Sequence, residues 1–253
     1  MSPIALHARR LSRTYRTTSP PVHVLDGIDL EVRDGEFIVI MGASGSGKST
    51  LLYCLSGMDR PTGGSVELAG TDLTVLTAKE MSRIRLTRMG FVFQQAHFLA
   101  NLSIRDNVLL PALNASPNDP DGASSRVDML LERFGIAELA GRRITQVSGG
   151  QIQRASICRA LVCSPEILFA DEPTGALNTS MTTDVMDALT QVHADGTTLV
   201  MVTHEPACAA RAERVIYLRD GTVVDELRLG AWTAAEAVPR EDRLLAWLRA
   251  RDF

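Results

Sequence analysis

The nine residues Gly42-Ala43-Ser44-Gly45-Ser46-Gly47-Lys48-Ser49-Thr50 match the pattern G-x-x-x-x-G-K-[ST]. Its glycines let a backbone curl until successive N–H groups face one phosphate chain. A helix that starts where the loop ends adds its dipole to that field. Lys48 would bring a compact charge to the β- and γ-phosphates, and Ser49 a hydroxyl to Mg2+. Of 26 basic residues only Lys48 and Lys79 are lysines. A planar guanidinium does not replace an ammonium inside a tight phosphate nest, which is a reason for this position to stay lysine. The plain alternative is a flexible glycine turn.

Two further stretches carry chemistry. "FADEPTGALN" (169–178) places Asp171 and Glu172 side by side after an apolar run. Asp171 has the place of a Mg2+-ordering acid, and Glu172 that of a general base for an attacking water. Like charges this close repel, so a nearby metal helps keep both ionised. A strand-end acid that merely caps backbone N–H groups is the rival. "VSGGQIQR" (147–154) offers the Ser148 hydroxyl, close approach at Gly149 and Gly150, and the amides of a helix start continuing into Gln151. That is a second anion site. With only one phosphate loop in the chain, the second site suggests service to the nucleotide of another copy.

These residues need elements that hold them. "FIVI" (37–40), "EILFA" (166–170) and "TTLVMVT" (197–203) are continuous apolar runs, as expected of parallel strands covered on both faces. Each stops at polar residues, and open α/β sheets bind ligands at the C-terminal ends of such strands. Asp34-Gly35 and Asp220-Gly221 are expected to turn antiparallel hairpins. From about 94 to 161 the reading is helical, with Val127, Leu130, Leu131 and Phe134 on one face. Residues 114–125 read as a surface loop before that helix. "HFLANLSI" (97–104) is expected in the core of this helical part, with a partner-facing surface as the alternative. The tail, 239–253, reads as one more amphipathic helix with Leu244, Leu245, Trp247 and Leu248 on a face, packed on the core.

Taken together, the chain resembles the ATPase subunits of ABC transporters over about residues 4–226. "GASGSGKST" corresponds to the family's phosphate loop, "FVFQQ" to its glutamine loop and "VSGGQIQR" to its signature. "ILFADEPTGALN" corresponds to its magnesium strand and "MVTHEP" to its histidine switch. The resemblance implies an α/β fold: a P-loop ATPase core with a mixed, mainly parallel sheet, an N-terminal antiparallel β-subdomain and an inserted α-helical subdomain. Its expected bounds are 1–226 for the ATPase domain, with the insertion at about 95–161, and 227–253 for a C-terminal helical extension. It further implies a head-to-tail homodimer with two ATP molecules, each held between one copy's phosphate loop and the other's signature. Tyr15 would stack on adenine, Gln94 would reach Mg2+ and the water, and Ser49 and Asp171 would hold the metal. Ser148, Gly149, Gly150 and Gln151 would meet the partner's nucleotide, and His204 the γ-phosphate of its own site. Tyr15 as an edge-strand aromatic and His204 as a helix cap are the rival readings. Val147 stands where the family usually has leucine, and Asn178 where it usually has aspartate. Asparagine keeps the acceptor and loses the charge, so coupling between sites is expected to be retuned and hydrolysis kept.

Within the family the stretches look most like the subgroup of macrolide-efflux, lipoprotein-release, bacitracin-resistance and cell-division ATPases. A separate integral-membrane permease is therefore expected, the chain lying on the inner face of the membrane in the cytoplasm. The cargo would be an antimicrobial peptide, drug or lipid-like substrate. A regulator of a membrane partner and an ATPase of DNA maintenance are the alternatives. The net charge of −4 and the lack of a long coiled-coil insert or zinc-hook oppose the second, and no nucleic acid is expected. The N-terminal residues form no signal-peptide core, and no apolar run approaches the length of a membrane span. Cys54, Cys158, Cys163 and Cys208 have no C-x-x-C pairing and read as buried, reduced thiols.

Overall fold

Alternating apolar and polar residues at the start of the chain form β1 (Ile4–Tyr15) and β2 (Val22–Arg33), paired antiparallel. The computed structural model describes residues 2–16 and 19–251. Next come β3 (Phe37–Met41), α1 (Lys48–Leu55), β4 (Gly63–Leu68) and β5 (Thr71–Asp72). The middle of the chain forms α2 (Ala78–Arg88), β6 (Met89–Phe93), α3 (Ile104–Ala115), α4 (Pro120–Arg133) and α5 (Gly149–Leu161). Then follow β7 (Ile167–Asp171), α6 (Thr179–Ala194), β8 (Thr198–Val202) and α7 (Pro206–Ala209). The chain closes with β9 (Arg214–Arg219), β10 (Thr222–Arg228) and α8 (Ala237–Arg249). Two compact units result: the chain up to Thr77 together with the chain from Thr198 onward, and Ala78–Thr197.

In the first unit an antiparallel sheet has the order β2-β1-β4-β5. Separately, β3 pairs in parallel with β8 and β9, and β10 folds back antiparallel on β9. Both β3 and β8 are buried at all five positions, so neither has a polar face to show water. This decides against one expected hairpin. Asp34-Gly35 does turn the chain, with Glu36 N–H donating to Arg33 O at 3.0 Å, but β2 pairs with β1 and β3 with β8 and β9. A strand with alternating burial suits a sheet with one open face, whereas "FIVIM" needs cover on both, and the turn passes the chain from one to the other. Asp220-Gly221 does make its hairpin. Both residues have positive φ, 49° and 76°, and Arg219 opposes Thr222, as a two-residue turn of this hand requires.

Arg214, 8% exposed at the start of β9, braces this unit. Its Nε donates to Glu36 Oε1 at 2.8 Å and its Nη1 to Glu226 Oε2 at 2.9 Å, and Nη2 donates to Glu31 O. Burial works against the guanidinium's charge, but the two carboxylates outweigh it and raise the Arg214 pKa.

The tail helix α8 belongs to the same unit and buries Leu244 and Leu248, with Leu245 and Trp247 half-buried. It ends at Arg249 rather than running on to 253, and residues 252–253 lie outside the described residues.

In the second unit β6 and β7 are parallel, with Phe93 opposite Asp171. Val127, Leu130, Leu131 and Phe134 are buried, as their spacing predicts. The loop expected over 114–125 shrinks to 116–119. Pro120 occupies the first turn of α4 and Asp119 Oδ1 accepts from Gly122 N at 3.0 Å, so residues that read as loop-formers are a helix start. "HFLANLSI" is not core: Leu99 is 52% exposed, and Ile104 is its only buried residue. Buried Asn107 is the cause. Its Oδ1 accepts from Leu99 N at 2.7 Å and its Nδ2 donates to Leu99 O at 3.1 Å and Ser103 O at 2.9 Å, which fixes an irregular loop in place of a helical face.

Cys54, Cys158 and Cys208 are buried and Cys163 half-buried, all as free thiols. Burial pushes the Cys54 and Cys158 thiols up to about 12, so neither supplies a thiolate.

Removing Arg214 leaves the Glu36 side chain, 12% exposed, without its cation. We expect Arg214→Ala to cost about 3–5 kcal/mol in urea denaturation at neutral pH, with a loss below about 1 kcal/mol showing the brace to be dispensable.

Candidate active site

The phosphate loop leaves β3 at Met41 and enters α1 at Lys48. Three neighbours shape it. A Cβ on Gly42 would lie 2.1 Å from Leu218 O of β9, and one on Gly47 would lie 2.9 Å from Val24 O of β2. Gly47 also has φ 101°, a conformation that L side chains rarely adopt, whereas a Cβ on Gly45 (φ 80°) would meet open space. The β9–β10 turn completes the clamp, with Gly221 N–H donating to Ser46 O at 3.1 Å. Lys48 Nζ donates to Gly42 O at 2.8 Å and to Ala43 O at 2.9 Å, so the ammonium lies under the curl of its own loop. Ser46 Oγ is buried and has no hydrogen-bond partner among the described residues. A loop that only glycine can trace, with an ammonium under it and an uncommitted buried hydroxyl, fits a polyphosphate.

Two other expected residues lie in this unit. His204, exposed, follows β8. Since β3 and β8 are parallel with Ile40 opposite Val202, and Thr203 N–H reaches Ile40 O at 3.4 Å, His204 stands at the same strand ends as the phosphate loop. Tyr15 ends β1. Its hydroxyl donates to Asp59 Oδ2 at 2.7 Å, and the Arg13 guanidinium stacks 4.4 Å from its ring centroid. Burial disfavours the Arg13 charge, but Tyr15 and Asp59 outweigh it and raise its pKa. That cation covers one face of the ring. Asp59 gives no periodic or motif signal in the sequence, and only the fold reveals it as the anchor of Tyr15.

In the second unit Asp171 is the last residue of β7, 8% exposed. Glu172 follows with φ 46°, a strained backbone for a residue with a Cβ, of the sort that costs about 1–3 kcal/mol and gathers at functional sites. Gln94 follows β6 and lies against the loop after the acids: a Cβ on Gly175 would come 2.9 Å from Gln94 Nε2. The unit thus brings Gln94 and the Asp171-Glu172 pair together at the ends of two paired strands.

The signature opens α5. Ser148 and Gln151 form a reciprocal cap, Ser148 N–H donating to Gln151 Oε1 at 2.8 Å and Gln151 N–H to Ser148 Oγ at 3.3 Å. Gln151 is therefore turned back onto the helix start. The amides of Gly149 and Gly150 lie beside the start of α6, where a Cβ on Gly149 would be 3.1 Å from Leu177 Cδ2 and one on Gly150 3.1 Å from the Met181 side chain. Asn178 caps α6, its Oδ1 accepting from Met181 N at 3.0 Å. An exposed aspartate could make the same bond, so the loss of charge leaves this local structure unchanged. Gln153, unremarked within "GGQIQR", is buried and donates to Phe93 O at 2.9 Å, which ties α5 to the residue before Gln94. Helical spacing after Gly150 is the signal that could have found it.

Among known families, residues 25–175 match the one described as "ABC transporter". The chain belongs to the ABC transporter family. It is an ATPase cassette of that family, and it superposes on the dimeric post-hydrolysis structure of the ATP-binding cassette MJ0796 bound to ADP and Pi with a TM-score of 0.81. The two are 35% identical, over 90% of this chain and 100% of that one. The macrolide export ATP-binding/permease protein MacB of Rhodopseudomonas palustris (strain HaA2) is 44% identical over 224 residues, 88% of this chain and 34% of the relative. MacB of Agrobacterium fabrum (strain C58) is 40% identical over 248 residues, 98% of this chain and 38% of the relative. The cassette thus spans about a third of the length of the curated relatives it matches. Among the described residues no helix is long and apolar enough to cross a membrane.

If the Asn178 cap is what orders the start of α6, Asn178→Asp should leave thermal stability almost unchanged and Asn178→Ala should cost about 1 kcal/mol. Equal losses in the two variants, read from chemical denaturation, would assign the residue another role.

Proposed function

We propose that the cassette hydrolyses Mg2+-bound ATP as a head-to-tail homodimer and drives an integral-membrane permease. The observation that carries this is the clamped phosphate loop with Lys48 under it. Lys48 and the loop amides from Gly42 to Thr50 hold the phosphates, and the Tyr15 ring stacks on adenine. Ser49, Asp171 and Gln94 supply oxygen ligands suited to Mg2+, which when bound offsets phosphate charge. Glu172 accepts the proton of the attacking water, and His204 contacts the γ-phosphate. Ser148, Gly149 and Gly150 meet the nucleotide of the other copy, with Gln151 holding Ser148 in place. Asn178 faces the other copy and bears on coupling between the two sites.

The cassette lies against that permease on the cytoplasmic face of the membrane. Leu99, exposed and fixed by Asn107, together with half-buried Phe98, gives that partner an apolar place to seat. The names of the MacB relatives join an ATP-binding part to a permease and to macrolide export, which supports export or extraction of a drug, antimicrobial peptide or lipid-like compound. The surrounding reading frames give the cheapest check on the partner: a polytopic permease is expected in the same frame or beside it.

Glu172→Gln should lower ATP turnover by about 100-fold or more while ATP still promotes dimers in sedimentation. A wild-type cassette with no turnover beside its permease would overturn the reading. Leu99→Asp should leave basal turnover as it is and abolish its stimulation by the permease in proteoliposomes. Full stimulation in that variant would place the permease contact elsewhere.

A further inference from the structure

The tail helix α8 makes more specific contacts than packing alone requires. Arg240 is 6% exposed, and among the described residues its guanidinium donates only to main-chain carbonyls: Ala210 O at 2.9 Å, Ala212 O at 2.8 Å, Leu229 O and Gly230 O at 3.0 Å, and Ala231 O at 2.9 Å. Burial lowers its pKa from the ordinary arginine value. The first two carbonyls close the segment that begins at His204 and runs through α7. The other three follow β10. One turn beyond Leu244, the Trp247 ring meets the Tyr217 ring of β9 edge-on at a centroid distance of 6.2 Å. Arg251 pairs with Asp225 of β10 through its Nε at 2.8 Å, and the Tyr217 hydroxyl reaches Arg251 O at 3.4 Å. The tail therefore grips both strands of the β9–β10 hairpin and the chain on either side of it.

That hairpin is the piece that shapes the phosphate loop. Tyr217 lies opposite Met41, the residue before Gly42; Leu218 O is the atom against which Gly42 is pressed; and Gly221 N–H holds Ser46 O. Gly221 is itself locked, accepting from Asp26 N at 3.0 Å and leaving no room for a Cβ, which would lie 2.4 Å from Val24 O. From Trp247 two steps lead to the residue before the phosphate loop, the packed Tyr217 ring and the pairing of Tyr217 with Met41, while Arg240 ties the chain on both sides of the hairpin.

We infer that α8 is a brace for the nucleotide site, with Trp247 and Arg240 as positioning residues that hold the β9–β10 hairpin, and through it the phosphate loop, in the geometry that binds ATP. Neither residue touches nucleotide. The inference rests on the ATP-binding reading of that loop. It adds that a segment carrying none of the chain's nucleotide motifs sets how well the loop is formed. Preorganised sites lose affinity when their supporting shell loosens, because binding must then order the loop as well.

The test uses the full chain and ATP-Mg2+, at a temperature where circular dichroism shows every variant folded. Trp247→Ala and Arg240→Gln should each raise the KM for ATP by about tenfold, with a matching loss in equilibrium binding of a fluorescent ATP analogue. Trp247→Phe, which keeps a ring against Tyr217, should restore wild-type values. Variants that melt earlier yet bind and hydrolyse ATP as the wild type does would overturn the inference and leave α8 a packing element only. Wild-type affinity and turnover with lost permease assembly would also overturn it, and would make the tail a docking segment. A wild-type cassette that binds no ATP would instead sink the ATP-binding reading, so the two failures are distinct.

Discussion

Everything at the phosphate loop depends on a backbone approach with no room for side chains. Gly42 is pressed against Leu218 O and Gly47 against Val24 O, while Gly221 holds the loop from the hairpin turn. The loop amides can converge on one phosphate chain only if the peptide planes turn in this way, and the neighbouring strands enforce it. The lysine then has a defined place, since the carbonyls of Gly42 and Ala43 receive its ammonium. Burial of β3 and β8 on both faces has the same consequence one level up. Strands buried along their whole length bring the phosphate loop and His204, which follow them, to one shared end.

The second unit follows a parallel logic with different materials. Paired strands β6 and β7 carry Gln94 and the Asp171-Glu172 pair to neighbouring ends, and strain is accepted at Glu172. The stretch after the acids then runs by short turns to Leu177 and, past the Asn178 cap, to Met181; Leu177 and Met181 lie against the signature glycines. An acid expected to serve one nucleotide and amides expected to serve another are thus joined by a few residues of one ordered segment. Asn178 belongs to the order of that segment, since its bond is the helix cap, and asparagine makes that bond without a charge.

Motif residues were legible because their chemistry restricts residue type: glycine for positive φ, a lysine among arginines, paired acids after an apolar run. The parallel strands were legible from continuous apolar runs. What misled was local. Asp34-Gly35 looks like a hairpin turn because turn chemistry is the same whether the next strand pairs with the last one or enters another sheet. "NASPNDPDGASS" looks like a loop because Asp119 and Pro120 are as much helix-start residues as loop residues. "HFLANLSI" looks like core because its apolar content says nothing of Asn107, eight positions away from Leu99, which captures that backbone and turns the side chain outward.

The amino-acid sequence by itself determined the family and the chemistry expected of the chain, since phosphate binding, metal binding and water activation each require particular residue types at particular spacings. It determined the α/β class as well, because burial on both faces leaves a strand no other composition. Only the tertiary structure decided what holds those residues. Asp59 beneath Tyr15, Gln153 behind Phe93 and Arg240 among five carbonyls are single polar residues whose partners lie far away along the chain. Periodicity can place such a residue on a buried face, as for Gln153, but it does not announce the partner, because the contact's energy comes from satisfying a buried donor or acceptor at one point in space. That point exists only once the strands and helices have met.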